Sequence, residues 1–169
     1  MSSSTPTPDL PANDAANAAN AADPARSHLV SAEWLLQRLG SDHVMVVYGM
    51  NGMDELSLSG ESAVGELKGG EVREYLVHPS DFGLPVYDSR VLKVANKEES
   101  VLCIQRALGN EDGPVRDVVL LNAGAALYCA GVATSVTDGV KRAREAVASG
   151  KAMAKLSQFV GVSNRFRAA

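Results

Sequence analysis

Residues 44–55 read VMVVYGMNGMDE, an apolar run followed by a glycine-containing acidic loop, and this pattern indicates the fold class. The run from Val44 to Tyr48 is apolar and valine-rich, which is typical of a buried strand in an α/β sheet. Gly49 and Gly52 then let the backbone turn sharply and approach a ligand closely. Because open α/β sheets bind ligands just beyond their strand ends, the loop from Gly49 to Glu55 is the candidate site.

This loop ends in two neighbouring carboxylates, Asp54 and Glu55. In a regular strand they would point to opposite faces, whereas in a loop both can converge on one ion. Mg²⁺ commonly takes one or two carboxylates and completes its shell with water and phosphate oxygens. A solvated turn with two surface acids gives the same pattern, so the spacing alone leaves both interpretations open.

A β-hairpin is predicted after the loop and after a short strand around Leu56–Leu58. Its two strands, Ser62–Leu67 and Glu71–Val77, alternate apolar and polar residues and are joined at Lys68-Gly69-Gly70. The paired glycines are interpreted as a hairpin turn rather than a phosphate-binding loop. The stretch from His78 to Leu92 contains prolines and glycine and predicts an ordered loop.

Helices are predicted in the last third of the chain, each bounded by capping or terminating residues. The predicted ranges are Asn96–Leu108, a helix that starts at Pro114 and carries VRDVVLLNAGAALYCAG, Thr137–Gly150 and Lys151–Val160. The second of these is apolar nearly all round, so we expect it in the middle of the domain. Its polar amide, Asn122, is interpreted as a core amide that holds a neighbouring loop.

The N-terminal residues 1–28 differ in composition from the rest of the chain. They are rich in alanine, asparagine and proline, and we expect a disordered tail because little apolar surface is available to bury. Ser31 is expected to cap a short helix through Leu39. Residues 29–169 are expected to form one α/β domain in which helices flank a small sheet.

The composition excludes several classes of protein. The 169 residues carry a net charge of −4, which argues against nucleic acid as the main partner. No apolar stretch approaches the roughly 20 residues of a membrane span, and no signal peptide is recognisable, so we expect a cytoplasmic protein. Cys103 and Cys129 have apolar neighbours and are expected to be reduced thiols in the core.

Longer segments of the chain resemble a known enzyme family. LQRLGSDHVMVVYGMNGMDELSLSG, GEVREYLVHPSDFGL and GPVRDVVLLNAGAALYCAGVATSVTDGVKRAREAVASGKAMAKL are similar, in order, to the C-terminal part of anthranilate phosphoribosyltransferases. The resemblance implies the C-terminal part of the nucleoside phosphorylase/phosphoribosyltransferase catalytic domain. It also implies transfer of a phosphoribosyl group from phosphoribosyl pyrophosphate to anthranilate in tryptophan biosynthesis. The acidic pair of that family binds Mg²⁺, which implies this role for Asp54 and Glu55.

The chain also departs from that family. Its enzymes are longer and place a helical domain and a glycine-rich phosphate loop before the part that resembles this chain, and Tyr48 stands where they usually have histidine. We therefore expect a truncated or split form with little activity alone, and no catalytic or cofactor-binding residue beyond the metal pair is assigned. A non-catalytic remnant or interaction module of the same fold is the alternative. An uncovered sheet edge and apolar face predict self-association or an N-terminal partner chain.

Overall fold

A computed structural model describes residues 42–167, in which a small antiparallel sheet precedes a set of helices. The predicted tail over residues 1–28 and the predicted helix from Ser31 to Leu39 lie outside the described residues. The described part confirms the prediction of a small sheet flanked by helices. Its strands are β1 (His43–Gly49), β2 (Ser62–Lys68) and β3 (Glu71–Val77), and its α-helices are α1 (Lys97–Leu108), α2 (Pro114–Cys129), α3 (Val136–Ala148) and α4 (Lys151–Arg167).

The predicted hairpin is confirmed. β2 and β3 pair in antiparallel register, with Lys68 opposite Glu71 beside the turn. Gly69 and Gly70 both adopt positive φ angles, 58° and 82°, which a two-residue hairpin turn with the twist of the strands requires. β1 pairs antiparallel with the other side of β2, and its residues up to Tyr48 are half-buried rather than buried as predicted.

One face of the sheet packs against the helices. Val47, Val64 and Tyr75 lie side by side across the three strands, because Val64 is opposite both of the others in the register. Val64 belongs to the buried core together with Leu120 and Leu121 of α2, and Val47 and Tyr75 pack against that core. Side chains alternate between the two faces of a strand, and the apolar face of this sheet packs against α2.

α2 and α3 approach each other at the backbone. Gly124 of α2 and Gly139 of α3 are both buried, and a Cβ atom on Gly139 would overlap the carbonyl group of Gly124. A Cβ atom on Gly124 would lie 2.7 Å from both Cγ2 and the backbone nitrogen of Val140. The small residues of α2 thus allow its backbone to pack closely against that of α3.

The largest differences from the predicted helix boundaries are at the start of α3 and the end of α4. α3 begins after Ser135, whose Oγ accepts a hydrogen bond from the Asp138 backbone nitrogen at 3.1 Å, so Ser135 and not Thr137 is the N-cap. The Asp138 carboxylate in turn accepts from the Thr134 backbone nitrogen at 2.9 Å, which completes the cap. α4 continues past Val160 to Arg167.

Three further expectations need correction. The segment Leu56–Leu58 is buried but is not a strand, because side chains rather than a strand ladder bind its backbone. The predicted loop from His78 to Leu92 contains two 3₁₀ helices, Pro79–Phe82 and Ser89–Leu92. Both cysteines are free thiols but are half-buried rather than in the core. Within residues 42–167, no helix combines the length and apolar character needed to cross a membrane.

Candidate functional site: the acidic loop after β1

The loop after β1 is closed by its own backbone. The Gly52 nitrogen donates to the Gly49 carbonyl at 2.8 Å, and the Gly49 nitrogen donates to the Met53 carbonyl at 2.9 Å. A Cβ atom on Gly49 would lie 2.8 Å from Asn51 Oδ1, so a larger residue would displace the loop. Gly52 has a φ of 92°, a conformation that glycine adopts without strain. The loop that the sequence singled out is therefore a tight, specific turn.

The two predicted metal ligands differ in environment. Asp54 is exposed, whereas Glu55 is half-buried. Burial, and secondly the negative charge of Asp54, raise the pKa of the Glu55 carboxyl above its ordinary value. A bound cation would relieve this repulsion, so the electrostatics of the pair favour a positive ion.

The donor set fits a hard cation that keeps much of its water. Within residues 42–167, no cluster of three or more histidine, cysteine, aspartate or glutamate side chains could hold a metal ion. Zinc, which is usually bound by three or four protein ligands, does not suit such a site. Mg²⁺ is commonly held by one or two carboxylates, with water and substrate phosphates as its other ligands. Two carboxylates as donors thus suit the chemistry of Mg²⁺ better than that of zinc.

The residue that follows the acidic pair is fixed to α2. The Leu56 backbone nitrogen donates to Asn122 Oδ1 at 2.9 Å, and Asn122 Nδ2 donates to the Leu56 carbonyl oxygen at 3.0 Å. Asn122 Nδ2 also donates to the Val118 carbonyl oxygen at 3.1 Å, within its own helix. The prediction that Asn122 is a core amide holding a neighbouring loop is confirmed.

Serine side chains bind the next part of the loop. The Ser57 nitrogen donates to Ser62 Oγ at 2.9 Å, and the Ser59 nitrogen donates to Ser57 Oγ at 3.0 Å. Asn51 Nδ2 donates to Ser59 Oγ at 2.8 Å, which connects the two ends of the loop. Polar side chains therefore bind much of this backbone, and the Leu58 carbonyl oxygen accepts from the Tyr87 nitrogen at 2.9 Å.

A second polar cluster, which the sequence analysis missed, lies on the helix-facing side of the sheet. Glu66 is buried in β2, where its Oε1 lies 2.9 Å from His43 Nε2 and its Oε2 accepts from the Tyr75 hydroxyl at 2.8 Å. Tyr128 of α2 lies beside this group, with its ring edge-on to that of His43 at a centroid distance of 4.6 Å. Lys68 Nζ donates to the Tyr128 hydroxyl at 3.0 Å, so the network reaches the surface. It joins the three strands of the described sheet to α2.

The stability of the protein should depend on pH through Glu66. Burial alone would raise the pKa of this carboxyl, but the polar groups of Tyr128, Tyr75 and His43 around it outweigh burial and lower the pKa below the ordinary 4.5. This contribution to stability is therefore present above pH 4.5 and is lost as the pH falls through the lowered pKa. Urea unfolding across the acid range should show this loss, and Glu66→Gln should flatten it. An equally steep acid limb in Glu66→Gln would contradict the assignment.

A signal for this cluster was present in the strand pattern. Glu66 follows Val64 by two residues in β2, so both side chains lie on the same face of the sheet. A carboxylate on the face of a core valine must be either hydrogen-bonded or paired. The partners His43 and Tyr128 are far away in the sequence, and only the fold brings them to Glu66.

Polar residues on the helical elements form local contacts of their own. His78 caps the first 3₁₀ helix, where its Nδ1 lies 2.7 Å from Ser80 Oγ. Lys141, Arg142 and Arg144 are exposed on α3, and Arg142 pairs with Asp138 one turn earlier on the helix. These residues lie on helical elements separate from the loop that carries Asp54 and Glu55.

Comparison with known proteins gives consistent matches over this domain. A family model described as "Glycosyl transferase family, a/b domain" matches residues 25–153. The chain is 75% identical over 135 residues to the anthranilate phosphoribosyltransferase of Leptothrix cholodnii, covering 80% of this chain and 39% of that protein.

Solved structures show the same likeness. The anthranilate phosphoribosyltransferase of Thermus thermophilus has a TM-score of 0.67 at 40% identity, over 78% of this chain and 40% of that one. The Saccharomyces cerevisiae enzyme, solved in complex with PRPP and Mg, has a TM-score of 0.60 over 69% of this chain and 34% of that one. At 23% identity, the likeness to the yeast enzyme shows the fold alone. The chain thus spans about two fifths of the length of the curated relatives that it matches.

Proposed function

Because the chain belongs to the glycosyl transferase family, a/b domain, we propose that it supplies the metal-binding part of an anthranilate phosphoribosyltransferase site. The reaction transfers a phosphoribosyl group from phosphoribosyl pyrophosphate to the amine of anthranilate. The observation that carries the proposal is the acidic pair, Asp54 and Glu55, in a loop that is closed by backbone bonds and fixed to α2. The 75% identity to the Leptothrix cholodnii enzyme over this domain supports the same reaction.

The chemical role of the pair follows from the leaving group. Negative charge grows on the pyrophosphate as its bond to the ribose breaks, and Mg²⁺ neutralises charge of this kind. Asp54 and Glu55 would hold the ion from the protein side and leave its remaining positions to water and phosphate oxygens. Glu55, whose pKa is raised by burial and by Asp54, becomes a better ligand once a cation offsets that repulsion.

We further propose that these 169 residues need additional polypeptide for full activity. The helices present exposed apolar side chains such as Leu102 and Ile104 on α1 and Phe159 and Phe166 on α4, and Phe166 is 81% exposed. Apolar surface of this kind favours contact with another chain. The partner would be the part of the relatives that precedes the matched segment, or a second copy of this chain.

The test is an assay of anthranilate consumption with phosphoribosyl pyrophosphate and Mg²⁺. We expect turnover by the chain alone to be slow or undetectable, and to rise when the N-terminal segment of the Leptothrix cholodnii enzyme is added in trans. In the restored assay, Asp54→Asn/Glu55→Gln should lower kcat/KM by about a hundredfold or more, because it removes both protein ligands of the ion. The matched control is Glu71→Gln, an exposed acid on β3 outside the loop.

Three outcomes separate the proposals. Ordinary enzymatic rates from the chain alone would contradict the need for additional polypeptide. Restored turnover that survives loss of both carboxylates would contradict the metal role. A chain that binds the N-terminal segment but remains inactive would favour the alternative, a non-catalytic interaction module of the same fold.

A further inference from the structure

The acidic pair is followed directly by a residue whose backbone is held by one side chain. Leu56 is only 1% exposed, so its backbone nitrogen and carbonyl oxygen need partners within the protein. Asn122 binds both, at 2.9 Å and 3.0 Å. We propose that Asn122 is a positioning residue for the metal ion, because it fixes the point from which the Asp54–Glu55 pair projects. This inference rests on the proposed function.

The anchor itself lies next to the most deeply buried residues of the described core. Asn122 follows Leu120 and Leu121 in α2, and these two leucines are 0% and 1% exposed. The third hydrogen bond of the amide, to the Val118 carbonyl, fixes its orientation on the helix. The acidic pair therefore takes its position from a buried helix rather than from the loop alone. Residues that orient metal ligands in this way are known to tune metal affinity.

The backbone of Glu55 can move little relative to the backbone of Leu56. Glu55 is bonded covalently to Leu56, so a shift of the Leu56 backbone moves the Glu55 carboxylate with it. On the other side of the pair, the Met53 carbonyl is bound by the Gly49 nitrogen at 2.9 Å. The two acids thus lie between two fixed backbone points, one held by β1 and one held by α2. Removal of the Asn122 amide frees the Leu56 backbone but leaves the Met53 carbonyl bound to Gly49.

The test measures binding of Mn²⁺, as a spectroscopic substitute for Mg²⁺, to the whole chain by electron paramagnetic resonance. Asn122→Ala should weaken binding by about tenfold to a hundredfold, the usual effect of removing a group that orients metal ligands. The matched control is Val147→Ala, which creates a cavity in the same core at a buried residue of α3. The control should bind Mn²⁺ as the original chain does, even though it is less stable.

A second variant separates positioning from charge and retains the shape of the side chain. Asn122→Asp accepts from the Leu56 nitrogen but, when ionised at about pH 8, repels the Leu56 carbonyl oxygen. An added negative charge near the site would by itself tighten cation binding. If Asn122 acts by positioning the acidic pair, Asn122→Asp should instead bind Mn²⁺ more weakly than the original chain does.

The outcomes distinguish this inference from the proposed function. Weaker binding in both Asn122 variants, with unchanged binding in Val147→Ala, supports the positioning role. Unchanged binding in Asn122→Ala, or tighter binding in Asn122→Asp, overturns that role and leaves the metal site intact. If Mn²⁺ binding to the original chain is unaffected by Asp54→Asn/Glu55→Gln, the acidic pair is not the metal site, and both proposals are overturned.

Discussion

Gly139→Ala should strongly destabilise the domain. The new methyl group would overlap the carbonyl group of Gly124, whose carbonyl carbon would lie 2.8 Å from it. The obstacle is the backbone of a buried helix, so no side-chain rotation can relieve it, and α2 and α3 must separate. Overpacking of this severity costs about 3 kcal/mol or more, a large part of the roughly 5–15 kcal/mol by which domains are stable. Urea unfolding followed by circular dichroism measures the loss.

The control for this prediction is another glycine within a helix. Gly161 lies in α4 and is exposed, and apart from the adjoining residues of its own helix no heavy atom lies within 4 Å of the position that a Cβ atom would take. Gly161→Ala should leave the fold intact and stabilise it by about 0.5–1 kcal/mol, because alanine favours a helix over glycine. If Gly139→Ala unfolds at the same urea concentration as the original chain, the backbones of α2 and α3 are not in contact at Gly124 and Gly139.

Glu66→Ala is expected to have the second largest effect. It removes the acceptor shared by His43 and Tyr75, whose polar atoms then lose this partner beside the core. Loss of one member of a buried charged network typically costs about 3 kcal/mol or more, because the remaining groups stay desolvated. Thermal and urea unfolding should both show the loss.

The matched control is Glu71→Ala on the neighbouring strand. The Glu71 side chain is 70% exposed and pairs with the exposed Arg73, so its removal should change the unfolding free energy little. Equal effects of the two substitutions would show that Glu66 behaves as a surface residue. Glu66→Gln should lie between the two, since it retains the shape and one acceptor oxygen but not the charge.

The local elements of this fold could be predicted from the sequence because their signals are local. The Gly69-Gly70 turn, the Asn96 cap of α1 and the Pro114 start of α2 each depend on residues a few positions apart, and each is confirmed. The N-cap of α3 was misassigned because Ser135 and Thr137 are both good capping residues, and the contacts of Asp138 decide between them. The resemblance to anthranilate phosphoribosyltransferases, carried by longer segments, is also confirmed.

The candidate site was predicted in part. The loop from Gly49 to Glu55 was found from its glycines and acids, but the segment Leu56–Leu58 was assigned to a strand. Its backbone is bound by side chains, including that of Asn122, which lies 66 residues away in the sequence. The Glu66 network was missed for the same reason, since its members come from separate strands and a helix. Interactions between distant residues leave no pattern in a short window of sequence.

The hydrogen bonds of Leu56 have a consequence for the motions of the loop. Surface loops usually exchange their amide hydrogens through small local openings that leave the rest of a domain folded. The Leu56 amide is bonded to a side chain of α2, so its hydrogen is released only when the loop and the helix part. We therefore expect the Leu56 amide to exchange its hydrogen together with the amides of α2, as part of one cooperative unit that keeps the backbone next to the acidic pair in place.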